Sequence, residues 1–198
     1  MPGMHDDHND HKRDEELGER LLGELRAHGI TYLSGGHEAV AAASAHPMPD
    51  AELLRALARY PESRVRNAVI GLLLLYPELA GAIPDALRAA DEPTAESLAT
   101  LALAALYMSR LWRTRLRLAL GRAPELPADL LAPLIAARGL PSPDEMYGEL
   151  GLRALAEFER IRRGVRYNFL SDWQNQVEQL IAHERLRQRA EKRAQASA

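Results

Sequence analysis

Apolar residues recur along this chain at intervals of three and four, the spacing that lines one face of an α-helix. Leu17, Leu21, Leu22 and Leu25 form the first stripe, with Asp14 as its cap and Gly29 as its stop. Ser34-Gly35-Gly36 opens a small-residue segment that runs to about Ala45 and halts at His46-Pro47. Its alanines predict a helix that a neighbour can approach closely. Asp50 caps a helix carrying Leu53, Leu54 and Leu57, closed near Tyr60-Pro61. From Glu62 to Tyr76, helical spacing is kept by Val65, Ala68, Val69, Leu72, Leu73 and Tyr76. Pro77 and Pro84 each suit a first helical turn, so 77–90 is predicted as one or two short helices. The longest uninterrupted pattern, Thr94 to Leu120, predicts one helix ended by Gly121. Its buried stripe is Leu98, Leu101, Ala102, Ala105, Trp112 and Leu116.

Pro124 and Pro127 bound a linker, and Ala128 to Arg138 predicts a short helix bent at Pro133. Ser142-Pro143-Asp144-Glu145 has the form of a helix start: a cap, a first-turn proline, then acids facing the positive end of the dipole. That helix is predicted to run to about Arg163 and stop at Gly164. Ser171-Asp172-Trp173-Gln174 reads as a capping box, with Trp173, Val177, Leu180 and Ile181 turned inward behind it. Phe169 and Trp173 flank this start and are expected to anchor it in the core. The pattern divides the chain into a disordered acidic, His-rich tail (1–13), a single all-α domain (14–186) and a frayed basic tail (187–198).

Composition supports the all-α reading. Val, Ile and Thr total 15 residues against 33 Leu and 33 Ala, too few β-formers for a large sheet. A length of 198 residues suits one domain. There is no cysteine, which excludes disulfides, thiolate metal sites and cysteine nucleophiles. No apolar run reaches the roughly 18 residues of a membrane span. The acidic start has no signal-peptide character, so a cytoplasmic protein without membrane contact is expected. The net charge of -3 excludes an overall basic nucleic-acid binder. It is unevenly spread, however. Residues 1–99 hold 9 basic and 17 acidic side chains, whereas 100–198 hold 16 and 11, so the second half can present a basic face.

Leu54-Arg55-Ala56 and Leu87-Arg88-Ala89 stand 33 residues apart, as do Val65 and Leu98 at the starts of the helices that follow. The stretch Asp50 to Leu75 resembles a HEAT-type helical repeat. The matching residues are the first helix ELLRALARY, the turn Pro61-Glu62-Ser63, then Val65-Arg66 and Ala68 opening a Leu-rich second helix. A degenerate copy at 84–108 lacks the Val-Arg pair. The resemblance implies helix pairs stacked into a solenoid that binds other macromolecules. The expected fold is therefore a short HEAT-like repeat core with a non-repeating C-terminal helical cap. Such stacking makes a rigid surface, usually without a deep catalytic cleft.

Several groups of residues are candidates for chemistry. His5, His8 and His11, interleaved with Asp6, Asp7 and Asp10, have metal-ligating side chains but no folded surroundings, so no metal site is expected. Ser34-Gly35-Gly36 lacks the strand and the Lys-Ser/Thr of a phosphate loop and reads as a turn. No nucleophile elbow or zincin spacing occurs, and Glu157 and Glu159 point in different directions on a helix. An enzyme would need a pocket in which at least two titratable groups converge. Arg110, Arg113 and Arg117 share one face of the predicted 94–120 helix and suit phosphates or the acids of a partner, the alternative being that they are solvated or paired with acids of the chain's own first half. Arg162, Arg163 and Arg166 are interleaved with Tyr167 and Phe169, a pattern that suits single-stranded nucleic acid. The expectation is a non-enzymatic adaptor, accessory subunit or inhibitor-like partner that binds another protein. Its binding residues are Arg110, Arg113 and Arg117 first, then Arg162, Arg163 and Arg166, and it needs no cofactor. The alternative is a nucleic-acid-binding accessory factor using the basic second half.

Overall fold

The structure, a computed structural model, describes residues 6–33 and 47–196. All regular structure in them is helical. The elements are α1 (Asp6–Ala27), α2 (Asp50–Arg59), α3 (Ser63–Arg66), α4 (Ala68–Leu75), α5 (Ile83–Arg88), α6 (Glu92–Leu111), α7 (Arg113–Leu120), α8 (Ala128–Ala137), α9 (Glu149–Arg163) and α10 (Phe169–Ala196). Short 3-10 turns at Pro77–Ala82 and Glu145–Gly148 precede α5 and α9. No single helix among the described residues is long and apolar enough to cross a membrane. The helix predicted from Ser34 to Ala45 lies outside the described residues, as do His5 and the side chains of His8 and His11.

The architecture grows from α6. Every residue from Ser97 to Ser109 is buried, because this helix is apolar on all sides and packs on α2, α4, α5, α8 and α9. Its alanines at 99, 102, 104 and 105 keep those neighbours close. Asp91 starts it, with Oδ1 accepting the Thr94 N–H at 3.1 Å and Pro93 in the first turn. The helix α4 is likewise buried from Ala68 to Leu74. Around this apolar centre lie α1, on α2, and the C-terminal pair α9 and α10.

Several boundaries differ from the predicted ones, among them the split at Asn67 that divides the predicted 62–76 helix into α3 and α4. The first helix begins at Asp6 instead of Asp14, ahead of the first apolar turn. The predicted 94–120 helix breaks at Trp112 (φ -106°, ψ 21°), giving α6 and α7. The helix predicted from Ser142 starts only at Glu149. Its capping residues make a local turn instead: the Ser142 N–H donates to Glu145 Oε1 at 3.1 Å and the Asp144 N–H to Ser142 Oγ at 3.3 Å. Met146, Tyr147 and Gly148 then turn left-handed, at φ 45°, 56° and 87°. Contact with α6 requires this, since a Cβ on Gly148 would stand 2.7 Å from the Tyr107 carbonyl oxygen. Finally, α10 starts at Phe169, before the expected capping box, because Asn168 Oδ1 accepts the Ser171 N–H at 3.1 Å.

The segment expected to fray after Leu186 continues α10 as an exposed helix to Ala196. Local pairs support it, with Arg187 Nη2 2.8 Å from Glu184 Oε2 and Nη1 3.4 Å from Glu191 Oε1.

Candidate functional site

The two arginine groups singled out in the sequence meet different fates. The break at Trp112 leaves Arg110 on α6 and Arg113 and Arg117 on α7, so they are not one continuous helical face. Arg110 is half-buried, with Nε 3.8 Å from Asp144 Oδ1 and no hydrogen bond to that nitrogen. Arg113 Nη2 faces Glu125 Oε1 at 3.6 Å, and Arg115 Nη2 faces Glu178 Oε1 at 3.6 Å. The Arg115 guanidinium also lies 4.2 Å above the Trp112 ring. Arg122 donates to the Leu75 carbonyl. Arg117 is exposed and makes no ion pair among the described residues. The three residues expected to act together are thus separated, and Arg110 and Arg113 are given to acids of the protein's own chain.

The second group is concentrated. Gly164, left-handed at φ 63°, ends α9 and turns the chain into the connector that carries Arg166 and Tyr167 to α10. One turn back, Glu159 is fully buried against α6. Its Oε1 accepts from Thr100 Oγ1 at 2.7 Å and Arg162 Nε at 3.0 Å, and its Oε2 from Arg162 Nη2 and Arg163 Nε, both at 2.8 Å. Burial alone would push this carboxyl up. The hydrogen bonds from Arg162, Thr100 and Arg163 outweigh it and hold the group below the usual glutamate range.

Beside this cluster opens a cleft of about 330 Å³. Its lining comes from Ser63, Arg66 and Asn67 of α3 and its C-terminal turn, and from Ser97, Thr100 and Leu101 of α6. Glu159 and Arg163 of α9, Val165 and Tyr167 of the connector, and Phe169, Asp172 and Trp173 of α10 complete it. An adjoining depression shares Arg66, Ser97 and Arg163 and adds Arg59, Asp91 and Arg162. The Arg163 guanidinium sits 5.3 Å over the Phe169 ring, and the Tyr167 and Phe169 rings meet edge to face at 5.0 Å. Burial and the neighbouring Arg163 charge lower the Arg66 pKa. Tyr167 donates its hydroxyl to Asp172, which raises the phenol pKa.

The helical-repeat reading implies a rigid surface, usually without a deep catalytic cleft, and the structure adds this cleft beside Glu159. Its walls are drawn from α3, α6, α9, the connector after Gly164 and α10. The cleft has the converging titratable groups that an enzyme would need. Both of its carboxylates, however, already accept hydrogen bonds within the protein. Glu159 is buried and shared among three donors, and Asp172 accepts from Tyr167.

Arg162 and Arg163 share Glu159, and Arg166 is exposed on the adjoining connector. As anticipated, Trp173 is buried and Phe169 packs against the core. Sequence reading missed Glu159, Asn67 and Thr100 as parts of one site, and treated Arg66 only as a repeat residue. The spacing of Glu159 to Arg162 and Arg163, three and four residues on, is the signal that marks the carboxylate as their shared partner. No local signal joins α3 to α9, which lie about a hundred positions apart. Comparisons with protein-family models, curated proteins and solved structures return no significant match.

Proposed function

We propose that this chain is a non-catalytic helical binding protein, an adaptor, accessory subunit or inhibitor-like partner, that engages another protein with the end of α9 and the connector to α10. One observation carries this reading. Ile161 (66% exposed), Val165 and Tyr167 are large apolar side chains left open to solvent in the same stretch as Arg162, Arg163 and Arg166. Exposed aromatic and aliphatic groups among arginines have the composition of interface hot spots, where apolar contact supplies affinity and the charges set partner choice and rate. The commitment of both cleft carboxylates to internal hydrogen bonds favours binding over catalysis. The helix pairs α2 with α3–α4, and α5 with α6, support the HEAT-like reading of the core, and we place the protein in the cytoplasm as part of the same proposal.

Affinity capture from the native host, with and without nuclease, tests it. One protein recovered in near-equal amount under both conditions, and lost when Tyr167→Ala and Arg166→Glu are combined, is the expected result. Capture unaffected by that pair of substitutions would rule out this surface.

Nucleic acid is the second reading. It is favoured by the contact of Tyr167 and Arg163 with Phe169, since rings and guanidiniums together suit unpaired bases. It requires binding to single-stranded DNA or RNA at low salt that weakens steeply as salt rises, with a shallower slope when Arg162, Arg163 and Arg166 are replaced by Ala.

A further inference from the structure

The cleft beneath this surface holds two guanidiniums with unused hydrogen-bonding capacity. A guanidinium offers five N–H donors. Arg66 gives two, both from Nη1, to the carbonyls of Tyr60 at 2.9 Å and Pro61 at 3.1 Å, and forms no ion pair among the described residues. Arg163 gives its Nε to Glu159 at 2.8 Å and has no acceptor for its two Nη groups among the described residues. Glu159 cannot neutralise both, because Arg162 and Thr100 share it. Asp172, the other carboxylate on the wall, is engaged by Tyr167.

Two guanidiniums with donors to spare therefore face a space of about 330 Å³. The rest of the wall mixes the polar Ser63, Asn67, Ser97 and Thr100 with an apolar patch. Leu101, Phe169 and Trp173 belong to that patch, with the last two rings tilted by 34° at 6.0 Å between centroids. A bare ion would leave the patch unused. A neutral aromatic molecule would leave the guanidiniums without acceptors. The volume lies near the lower end of small-molecule sites, room for one ring and its substituent.

We propose that this cleft binds a small aryl oxyanion, a phosphate monoester or carboxylate on a single aromatic ring, with its oxygens on Arg66 and Arg163 and its ring against Phe169 and Trp173. This goes beyond the protein-partner reading and does not rest on it. Forked guanidinium donors match the paired oxygens of either group.

Trp112 and Trp173 are the two tryptophans, so Trp112→Phe leaves Trp173 as the reporter at the site. Phenyl phosphate and benzoate are titrated against its emission, with phenol and inorganic phosphate as controls, and calorimetry repeats the titration on the natural chain. Saturable binding of at least one aryl anion is expected, with phenol and inorganic phosphate at least about tenfold weaker. The tighter of phenyl phosphate and benzoate identifies the oxyanion. Arg66→Ala is expected to weaken binding about tenfold or more. Because Arg66 also holds two carbonyls, Val165→Glu at the exposed rim provides an independent variant, placing a negative charge beside the ligand with the same expected loss. The assignment is overturned by absence of saturation with both aryl anions, by phenol or inorganic phosphate binding as tightly, or by affinity within about twofold in the folded variants.

Discussion

The arginines at 110–117 and those at 162–166 look alike in the sequence, each a basic run at or near helical spacing, yet they end in different physical states. The first run straddles the break at Trp112, and its members are held by scattered weak contacts, 3.8 Å to Asp144 and 3.6 Å to Glu125 and Glu178. The second is organised by one buried carboxylate that accepts from Arg162 and Arg163 at 2.8–3.0 Å. A charge run becomes a site when something buried fixes its geometry. Solvated pairs at longer range leave side-chain freedom intact and add little.

The largest test of this contrast is Glu159→Ala. It leaves the buried Thr100 hydroxyl and the partly exposed Arg162 and Arg163 guanidiniums without their shared acceptor, and about 3 kcal/mol of stability is expected to be lost in urea unfolding at neutral pH. A loss below about 1 kcal/mol would mean that the arginines rehydrate freely and that the carboxylate organises nothing. Acid titration sharpens the same point. The folded Glu159 pKa lies below the unfolded one, so its stabilisation is complete above the ordinary glutamate value and is lost as pH falls through the lower folded value. Stability of the natural chain is expected to drop over that acid range, and Glu159→Gln to show a flatter profile in the same measurement.

Placement of α9 is tested next, because α9 carries the second run. A Cβ on Gly151 would lie 2.0 Å from the Tyr107 ring, so Gly151→Ala forces α9 away from α6 and is expected to cost about 2 kcal/mol in thermal unfolding. An unchanged midpoint would show that Tyr107 turns aside without strain. The first run supplies the smallest effects. Arg110→Met removes a half-buried guanidinium whose Nε lacks a hydrogen bond, and stability is expected to stay within about 1 kcal/mol. Arg113→Ala and Arg117→Ala are expected to change it by no more than about 0.5 kcal/mol. A larger loss from any of these three in chemical denaturation would erase the distinction between the runs.

Helix identity was largely legible before any coordinates. Leu53, Leu54 and Leu57, or Val177, Leu180 and Ile181, are spaced at three and four, and all are buried where that spacing placed them. Caps were less legible. Ser142 and Ser171 both had the right neighbours for a helix start, yet the turn before Gly148 and the Asn168 cap took precedence. A cap sequence stabilises a local hydrogen-bond pattern, and a turn can use the same donors and acceptors as a helix. The Tyr107 carbonyl against Gly148 decided which formed, and no window of a few residues contains that contact.

What this chain's order of residues determined by itself is its secondary structure class and its buried stripes, because helical periodicity and the scarcity of β-branched side chains act over a turn or two. Which arginines matter was decided only in three dimensions. Arg66, Thr100, Glu159 and Trp173 come from four separate segments. Their convergence depends on how α6 seats its neighbours and where Gly164 reverses the chain. Packing sets those distances, and it couples residues that periodicity leaves independent.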